Sequence, residues 1–123
     1  MRKKIDLEYI FSSSVKVLFS RLSTPAGLSE WFADDVFQKG DQFVFIWNGM
    51  EHQATLVELK PNSCVRFQWN DAEDEEEFFE FSIHVEPLTG EVALIITDFA
   101  DEDEVADSTD LWNKQMDMLH RNL

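Results

Sequence analysis

Hydrophobic and polar residues alternate along the first part of the chain, from Lys3 to Phe11. A period of two is typical of a strand whose two faces differ in polarity. The spacing then changes to three and four residues, which places the apolar positions on one face of a helix. Those positions are Val15, Leu18, Phe19 and Leu22. The pattern predicts a strand followed by an amphipathic helix, and the serines at 12–14 supply hydroxyls that can cap the helix start.

A Ser-Thr-Pro break at residues 23–25 separates this helix from a second, shorter one. Pro25 cannot continue the first helix, but it fits the first turn of the next. Leu28, Trp31 and Phe32 keep the three-four spacing. We therefore predict that the second helix extends to these two adjacent aromatic residues.

Residues 36–99 carry the patterns of consecutive strands joined by short turns. Gln42–Trp47 is apolar on both faces, and the Asn48-Gly49 pair after it is a strong hairpin signal. Pro61-Asn62 and Thr89-Gly90 are further turn pairs. The clearest strand begins at Phe79, from which every second residue as far as Val85 is apolar. Short turns between successive strands indicate an antiparallel meander.

The chain closes with an amphipathic helix that we predict to start near Asp107 or Ser108, two good capping residues. Its apolar stripe consists of Trp112, Met116, Leu119 and Leu123. A sheet with one apolar face needs a cover, and this helix can supply it. The prediction is a single α+β domain over residues 1–123, in which a curved antiparallel β-sheet wraps around a long C-terminal helix and two short helices follow the first strand.

Composition and charge narrow the function classes. The 123 residues are 44% hydrophobic, enough for a core without metal or disulfide support. A formal net charge of −15 repels phosphate backbones and anionic headgroups, so we expect no nucleic-acid and no membrane partner. Cys64, the single cysteine, has no intrachain partner, and no signal-peptide or membrane-spanning run is present. We expect a cytoplasmic location.

Polar residues give little indication of catalysis. The three histidines share no metal-binding spacing, and Cys64 has only Arg66 as a neighbour that would activate a thiol. Two acidic runs, at 71–77 and 98–110, lack the ligand spacing and turn glycine of an EF-hand. We predict no catalytic residue, no metal ligand and no cofactor. The acidic runs favour either simple solubility or docking of a basic protein partner.

The aromatic residues are the best candidates for a binding function. Large flat side chains stabilise a core, and they also line pockets for apolar ligands. We predict that a ligand pocket lies between the sheet and the C-terminal helix. Its candidate residues are Trp31, Phe32, Phe45, Trp47, Phe67, Trp69, Phe81, Ile83, Trp112, Met116 and Leu119.

The order of several short motifs resembles a known superfamily. The motifs are Val15-Lys16-Val17-Leu18-Phe19, the segment from Thr24 to Phe32, Gly40-Asp41-Gln42-Phe43, Val57-Glu58-Leu59-Lys60-Pro61, Thr97-Asp98-Phe99 and Leu111-Trp112. Together they resemble the START-like helix-grip superfamily, also called SRPBCC. Within it they are most similar to the small bacterial homologues of the activators of the heat-shock chaperone ATPase, the AHSA-type branch. The resemblance implies a helix-grip fold with an elongated pocket, and it does not imply one activity.

Three functions remain open at this point. The first is non-enzymatic binding of a small hydrophobic ligand, and the second is a co-chaperone-like or other interaction module that uses the acidic surface. The third is an enzyme of the cyclase or hydrolase type. It ranks last because Thr97 and Arg66 are the only polar residues that we expect inside the pocket. The oligomeric state is not predicted.

Overall fold

The computed structural model describes residues 1–74 and 76–123. Glu75, which belongs to the first acidic run, lies outside the described residues. The strands are β1 (Arg2–Phe11), β2 (Asp35–Lys39), β3 (Gln42–Trp47), β4 (Met50–Lys60), β5 (Cys64–Trp69), β6 (Phe79–Val85) and β7 (Val92–Asp101). The helices are α1 (Val15–Ser23), α2 (Pro25–Leu28) and α3 (Val105–Arg121), and a 3-10 turn (Glu102–Glu104) precedes α3.

The strands form one curved antiparallel sheet in the order β1-β7-β6-β5-β4-β3-β2. Strands β2 to β7 each lie beside the next strand in sequence. β1 pairs with β7 along the whole length of β1. β1 and β2 are therefore the two sheet edges, although α1 and α2 alone separate them in sequence. The predicted fold class is confirmed.

Turn residues fix the strand connections as the sequence predicts. Asn48 and Gly49 both have positive φ angles, 52° and 77°, which suits the tight turn between β3 and β4. Asn62 also has a positive φ, 60°, between β4 and β5. Asparagine tolerates this left-handed conformation better than most residues, so each turn has the chemistry it needs.

Two helix limits differ from the prediction. α2 ends at Leu28, and Trp31 and Phe32 lie in the hydrogen-bonded turns that follow, where the Phe32 N–H donates to the Leu28 carbonyl at 2.8 Å. Such turns retain a near-helical spacing of side chains, which explains why the sequence pattern continues. α3 begins at Val105 rather than at Asp107 or Ser108, because the 3-10 turn of Glu102–Glu104 leads directly into it.

The core lies between the concave face of the sheet and the helices. In Gln42–Trp47, Phe43 and Phe45 point inward and are fully buried, whereas Val44 and Ile46 are half-buried on the convex face. The ambiguity of this strand is thus resolved by ordinary alternation. α3 contributes Trp112, Met116 and Leu119 to the core.

Gly27 explains why a glycine occupies the second helix. A Cβ atom at this position would lie 2.2 Å from the Ser20 carbonyl oxygen and 2.6 Å from the Arg21 Cα. The Thr24 side chain caps α2 by accepting from the Gly27 N–H at 3.0 Å, and it also donates to the Ser20 carbonyl at 2.7 Å. α2 therefore packs against α1 backbone to backbone, which sets the position of the aromatic pair that follows.

Candidate functional site

Phe32 is at the centre of the predicted pocket residues. Its ring centroid lies 5.1 Å from that of Phe45, 5.2 Å from Trp47, 5.8 Å from Phe81 and 5.8 Å from Trp112. The Phe45 and Trp47 rings approach edge-on, and the Trp112 ring is stacked, which are the favourable aromatic geometries. Phe32 thus joins β3, β6 and α3. We call this packed group of rings the aromatic centre.

The structure places all eleven predicted pocket residues in or against one hydrophobic cluster. Trp31 packs on Phe32 and Phe81, and its indole N–H donates to the Arg21 carbonyl at 2.7 Å. Trp47 and Trp69 are only half-buried, and the other nine are buried. Rings occupy the space around Phe32, so the binding role of these residues remains a prediction.

Phe79 belongs to the same group and was missed. Its ring centroid lies 5.1 Å from Phe67, 4.9 Å from Trp69 and 5.6 Å from Phe32, and its side chain is buried. The signal was present in the alternation that begins at Phe79, since residues two apart on a strand share a face. The predicted pocket residues included Phe81 and Ile83 but not Phe79, although all three lie in one row on the buried face of β6.

An open cavity of about 830 Å³ lies beside the aromatic centre, at the end of the sheet. We call it the acidic cleft. Its aromatic lining residues are Trp69, Phe78 and Phe99. The remaining lining residues are Met1, Arg2, Asp71, Ala72, Glu73, Asp74, Glu77, Asp98 and Asp101. Six carboxylates thus face one guanidinium, and except for Trp69 the predicted pocket residues do not line it.

The cleft exists because strand pairing stops early on one side. The ladder between β5 and β6 ends at Phe67 and Phe79, while β5 continues to Trp69 and the chain then leaves the sheet. On the other side, β7 continues to Asp101 and remains paired with Arg2 of β1. Beyond Phe67 and Phe79, β6 no longer lies between β5 and β7, although each of these two strands stays paired on its other side. The segment after Trp69 forms the opposite rim of the gap.

Asp98 connects the cleft to the aromatic centre. Its carboxylate accepts a hydrogen bond from the Trp112 indole N–H at 2.9 Å and another from the Phe99 N–H at 2.8 Å. Burial raises the pKa of Asp98 above its ordinary value, and these two hydrogen bonds oppose that shift by favouring the charged form. The sequence indicated this residue only as part of a family-like motif, because its partner lies on α3.

Arg2 is the cationic side chain that lines the cleft. Its Nη2 atom lies 2.6 Å from Glu77 Oε1, and its Nη1 atom lies 3.8 Å from Asp101 Oδ1. The hydrogen bond to Glu77 is the main reason that the pKa of Arg2 is raised, and burial opposes it. Since Arg2 already pairs with two carboxylates, the cleft keeps an excess of negative charge.

The two polar residues that we expected inside the pocket lie on the opposite face of the sheet. Thr97 is buried, and its hydroxyl donates to Asp6 at 2.6 Å across the β1–β7 pair. Arg66 bonds to Glu80 at 2.8 Å and covers the Phe78 ring at 3.9 Å. The expectation was wrong because successive residues of a strand point to opposite faces, and Ile96 and Val65 occupy the inward positions beside Thr97 and Arg66. Neither can contribute to chemistry on the concave face.

Cys64 has the surroundings of an inert thiol. Burial, a hydrogen bond to the Glu80 carboxylate at 3.3 Å and the negative charges of Glu80 and Glu58 raise its pKa to about 12. Arg66 acts in the opposite direction and does not overcome them. A nucleophilic cysteine needs a lowered pKa, so these contacts favour the interpretation of Cys64 as a structural residue.

The histidines are also explained by local contacts. His120 stacks on Phe11 at a centroid distance of 4.0 Å, and its ring nitrogens contact the Met116 and Ile10 carbonyls. His84 is exposed and contacts the Ser82 hydroxyl at 3.3 Å, on the polar side of β6. His52 packs edge-on against Trp47. The three histidines lie in separate environments.

Among the described residues, one set of three acidic side chains has ligand atoms within 4.8 Å of one another: Asp101, Asp103 and Glu104. Asp103 and Glu104 are exposed, and Asp101 already lies near Arg2. Exposed acidic groups of this kind are common without a bound ion, so the geometry does not indicate a metal centre. Within the same described ranges, no helix is long and apolar enough to cross a membrane.

Comparison with known proteins identifies the family. The family model of the START-like superfamily domain matches residues 1–123, and the chain belongs to that superfamily. This confirms the resemblance to the START-like superfamily that was drawn from the sequence motifs. A comparison with curated proteins gives no match.

Solved structures support the same fold. The protein BfR322 from Bacteroides fragilis is 39% identical, with a TM-score of 0.71 over 98% of this chain and 90% of that one. An Aha1 dimer from Colwellia psychrerythraea is 20% identical, with a TM-score of 0.78 over 96% and 93%. MLL2253 from Mesorhizobium loti is 16% identical, with a TM-score of 0.75 over 97% and 95%. The last two similarities show the fold alone.

Proposed function

We propose that this protein is a non-enzymatic binding module for a small molecule that combines an apolar body with a positive charge. The observation that carries the proposal is the acidic cleft, whose volume of about 830 Å³ is large enough for a small ligand. Its aromatic residues offer a surface for the apolar body, and its carboxylates offer partners for the cation. This proposal differs from the expectation of a purely hydrophobic ligand between the sheet and the C-terminal helix both in its site and in the charge of the ligand.

The lining favours a cation for two physical reasons. Aromatic rings attract cations through the negative face of the ring, and the attraction grows when the cation loses water. The carboxylates of Asp71, Glu73 and Asp74 add charge attraction on the outer rim. An anionic ligand would meet six carboxylates, and Arg2 already pairs with two of them, so we expect the cleft to reject it.

The position of the cleft also supports binding rather than catalysis. Asp98 is a half-buried carboxylate whose pKa is raised by burial, and two hydrogen bonds hold it in place. A carboxylate acts as a general acid or base only when it can reach the proton that it transfers, and both Asp98 oxygens already accept hydrogen bonds, from Trp112 and Phe99. Among the described lining residues, Asp98 lies with aromatic rings, like-charged carboxylates and Arg2, which already pairs with Glu77 and Asp101.

Calorimetric titration with benzyltrimethylammonium tests the proposal directly, with benzyl alcohol as a neutral control and benzoate as an anionic one. We expect the cation to bind at least tenfold more tightly than the alcohol, because aromatic and charge attractions act together. Benzoate should show no binding. Equal affinities for the cation and the alcohol would contradict the proposal.

A charge-matched pair of variants locates the site. D71N/E73Q/D74N removes three carboxylates from the rim of the cleft, and E8Q/D110N/D117N removes three exposed carboxylates elsewhere. We expect the first variant to lose most of the affinity and the second to retain it. Equal losses would mean that net charge alone attracts the ligand. Native mass spectrometry that finds a retained neutral apolar molecule would instead favour the space between the sheet and α3.

A basic protein partner is the second candidate, because lysine or arginine side chains offer the same chemistry to the cleft. The acidic character of the lining is the observation that favours it. Pull-down from a lysate at low and high salt would distinguish charge-driven docking, which weakens as salt rises. A partner that still binds to D71N/E73Q/D74N would exclude the cleft as its docking site.

A further inference from the structure

The edge strand β2 exposes an aromatic ring that the fold does not use. In the sheet order, β2 has one neighbour, β3. The Phe37 side chain is 55% exposed on the convex face, whereas Val36 is buried on the concave face. An edge strand presents backbone N–H and C=O groups that can pair with another strand, and the exposed Phe37 ring adds an apolar contact.

The sequence of β2 is complementary to itself in the antiparallel direction. It reads Asp-Val-Phe-Gln-Lys, with Phe37 at its centre. A two-fold axis at Phe37 would place Asp35 of each copy opposite Lys39 of the other, and it would bring the two Phe37 rings together. We propose that a second copy of this chain pairs with β2 in this register and extends the sheet across a symmetric dimer.

The backbone at the edge fits this arrangement. A two-residue turn at Gly40 and Asp41 joins β2 to β3 and closes on Lys39 and Gln42. Such turns close on a hydrogen-bonded pair, and bonded pairs alternate along antiparallel strands. Phe37 therefore directs its backbone groups toward β3, and Val36 and Gln38 direct theirs to the open edge. In the proposed register, the Gln38 N–H of one copy donates to the Val36 carbonyl of the other.

The convex face supplies the apolar contact. Phe37 is paired with Val44 on β3, and both residues have their side chains on the solvent side. Across the two-fold axis, these residues form one row of four apolar side chains. Directly opposed aromatic residues are among the favourable cross-strand pairs, and opposite charges at the ends of the strand fix the register. A cationic partner would find no acidic patch in β2, because Lys39 balances Asp35.

Sedimentation equilibrium of the full chain tests the proposal, from low micromolar to several hundred micromolar protein at physiological salt. We expect a monomer–dimer equilibrium that Phe37→Ser weakens by at least tenfold, because the central contact is lost from both copies. Salt is held constant, since the net charge of −15 on each copy opposes association and is screened as salt rises. A chain that stays monomeric over this range would overturn the proposal.

Reversing the charges of Asp35 and Lys39 tests the proposed strand register, and not only whether the β2 edge forms the interface. D35K and K39D each create two like-charged contacts across the axis, and each should weaken the dimer about tenfold. The double variant D35K/K39D restores opposite charges and should recover the dissociation constant of the natural sequence. K16D and D110K change the net charge equally at exposed helical positions and serve as controls. Dimerisation that is indifferent to D35K and K39D, or a double variant that fails to recover, would overturn the proposed pairing.

Discussion

The aromatic centre and the acidic cleft are adjacent, and aromatic side chains line both of them. The aromatic centre is nevertheless filled, whereas the cleft is open to solvent. Phe32 is 4% exposed and is surrounded by other rings from the sheet and α3. Phe78 and Phe99 also contact each other, at 5.3 Å, but both are only half-buried. The number of aromatic residues therefore does not determine whether a region is solid.

Two differences account for the contrast. The aromatic centre lies where the strands of the sheet are paired and α3 covers them, whereas the cleft lies beyond the last β5–β6 pair at Phe67 and Phe79. Carboxylates also alternate with the rings at the cleft, and unpaired charges resist removal from water. The cleft is thus open for two reasons: the pairing of β5 with β6 ends there, and the carboxylates that line it stay hydrated.

Phe32→Ala should break the closed region and give the largest effect. Removing the central ring leaves a cavity among side chains that cannot all move, and we expect a loss of about 3–5 kcal/mol in the free energy of unfolding. Phe99→Ala in the cleft should cost only about 1–2 kcal/mol, since less area is buried there. Urea denaturation followed by circular dichroism measures both. Equal losses would show that the two regions are packed alike.

Gly27→Ala should disturb the same region from a distance. The added methyl would overlap the backbone of α1 at Ser20 and Arg21, so α2 must move and carry the Trp31–Phe32 turn with it. We expect a loss of about 1–3 kcal/mol in the free energy of unfolding. Ala26→Ser adds one atom at the exposed neighbouring position and should change it by less than about 0.5 kcal/mol. If Gly27→Ala behaves like this control, the close approach of the helices is not needed.

The titration of Asp98 measures how well the boundary between the aromatic centre and the cleft is shielded from water, because Asp98 lines the cleft and bonds to Trp112. Its pKa is raised in the folded state, so the folded protein binds this proton more readily than the unfolded protein does. The contribution of Asp98 to stability therefore falls as pH rises from the ordinary aspartate pKa through the raised folded one. Asp98→Asn should remove this fall, and the stability difference between the variant and the natural protein should grow with pH and then level off.

Carbon-13 NMR of the Asp98 carboxyl group measures the same titration directly. Trp112→Phe removes the hydrogen bond that favours the charged form, so it should raise the pKa of Asp98 further. An Asp98 that titrates at or below the ordinary value would mean that it belongs to the open cleft and is well hydrated.

Arg2→Gln should have the smallest effect on stability. Its ion pair with Glu77 is short, but the Arg2 side chain is 47% exposed. Exposed pairs contribute about 0–1 kcal/mol, and salt screens them. We expect a loss within that range at low salt and a smaller loss at high salt, measured by thermal unfolding. A larger, salt-independent loss would show that Arg2 closes the sheet end rather than bordering an open cleft.

The sequence predicts the fold well because local patterns decide it. Alternation predicts the strand from Phe79 to Val85, and the Asn48-Gly49 turn has the positive φ angles that its residues favour. The end of α2 was misjudged because the turns after Leu28 keep a helix-like spacing of apolar residues. A period alone does not separate a helix from consecutive turns.

The candidate site was harder to predict, since it depends on where strand pairing stops. The sequence predicts that Trp69 lies at the end of a strand and that Trp112 lies on the C-terminal helix. It does not indicate that Asp98 joins Trp112, because the bond depends on how α3 lies across β7. The acidic runs were visible, but the sequence does not indicate that Phe78, which follows the first run, contacts Phe99 of the second run.

The pairing of β1 with β7 also affects how the chain is made. The hydrogen bond from Thr97 to Asp6 spans 91 positions, so β1 leaves the ribosome long before its partner exists. Contacts of such long range slow folding, and a waiting strand is exposed to wrong partners. Lys3, Lys4, Asp6 and Glu8 place charges along it, which discourages such pairing. Lys4, Asp6 and Glu8 share the solvent-facing side of the finished sheet, and we expect the same charges to limit wrong pairing of the nascent chain.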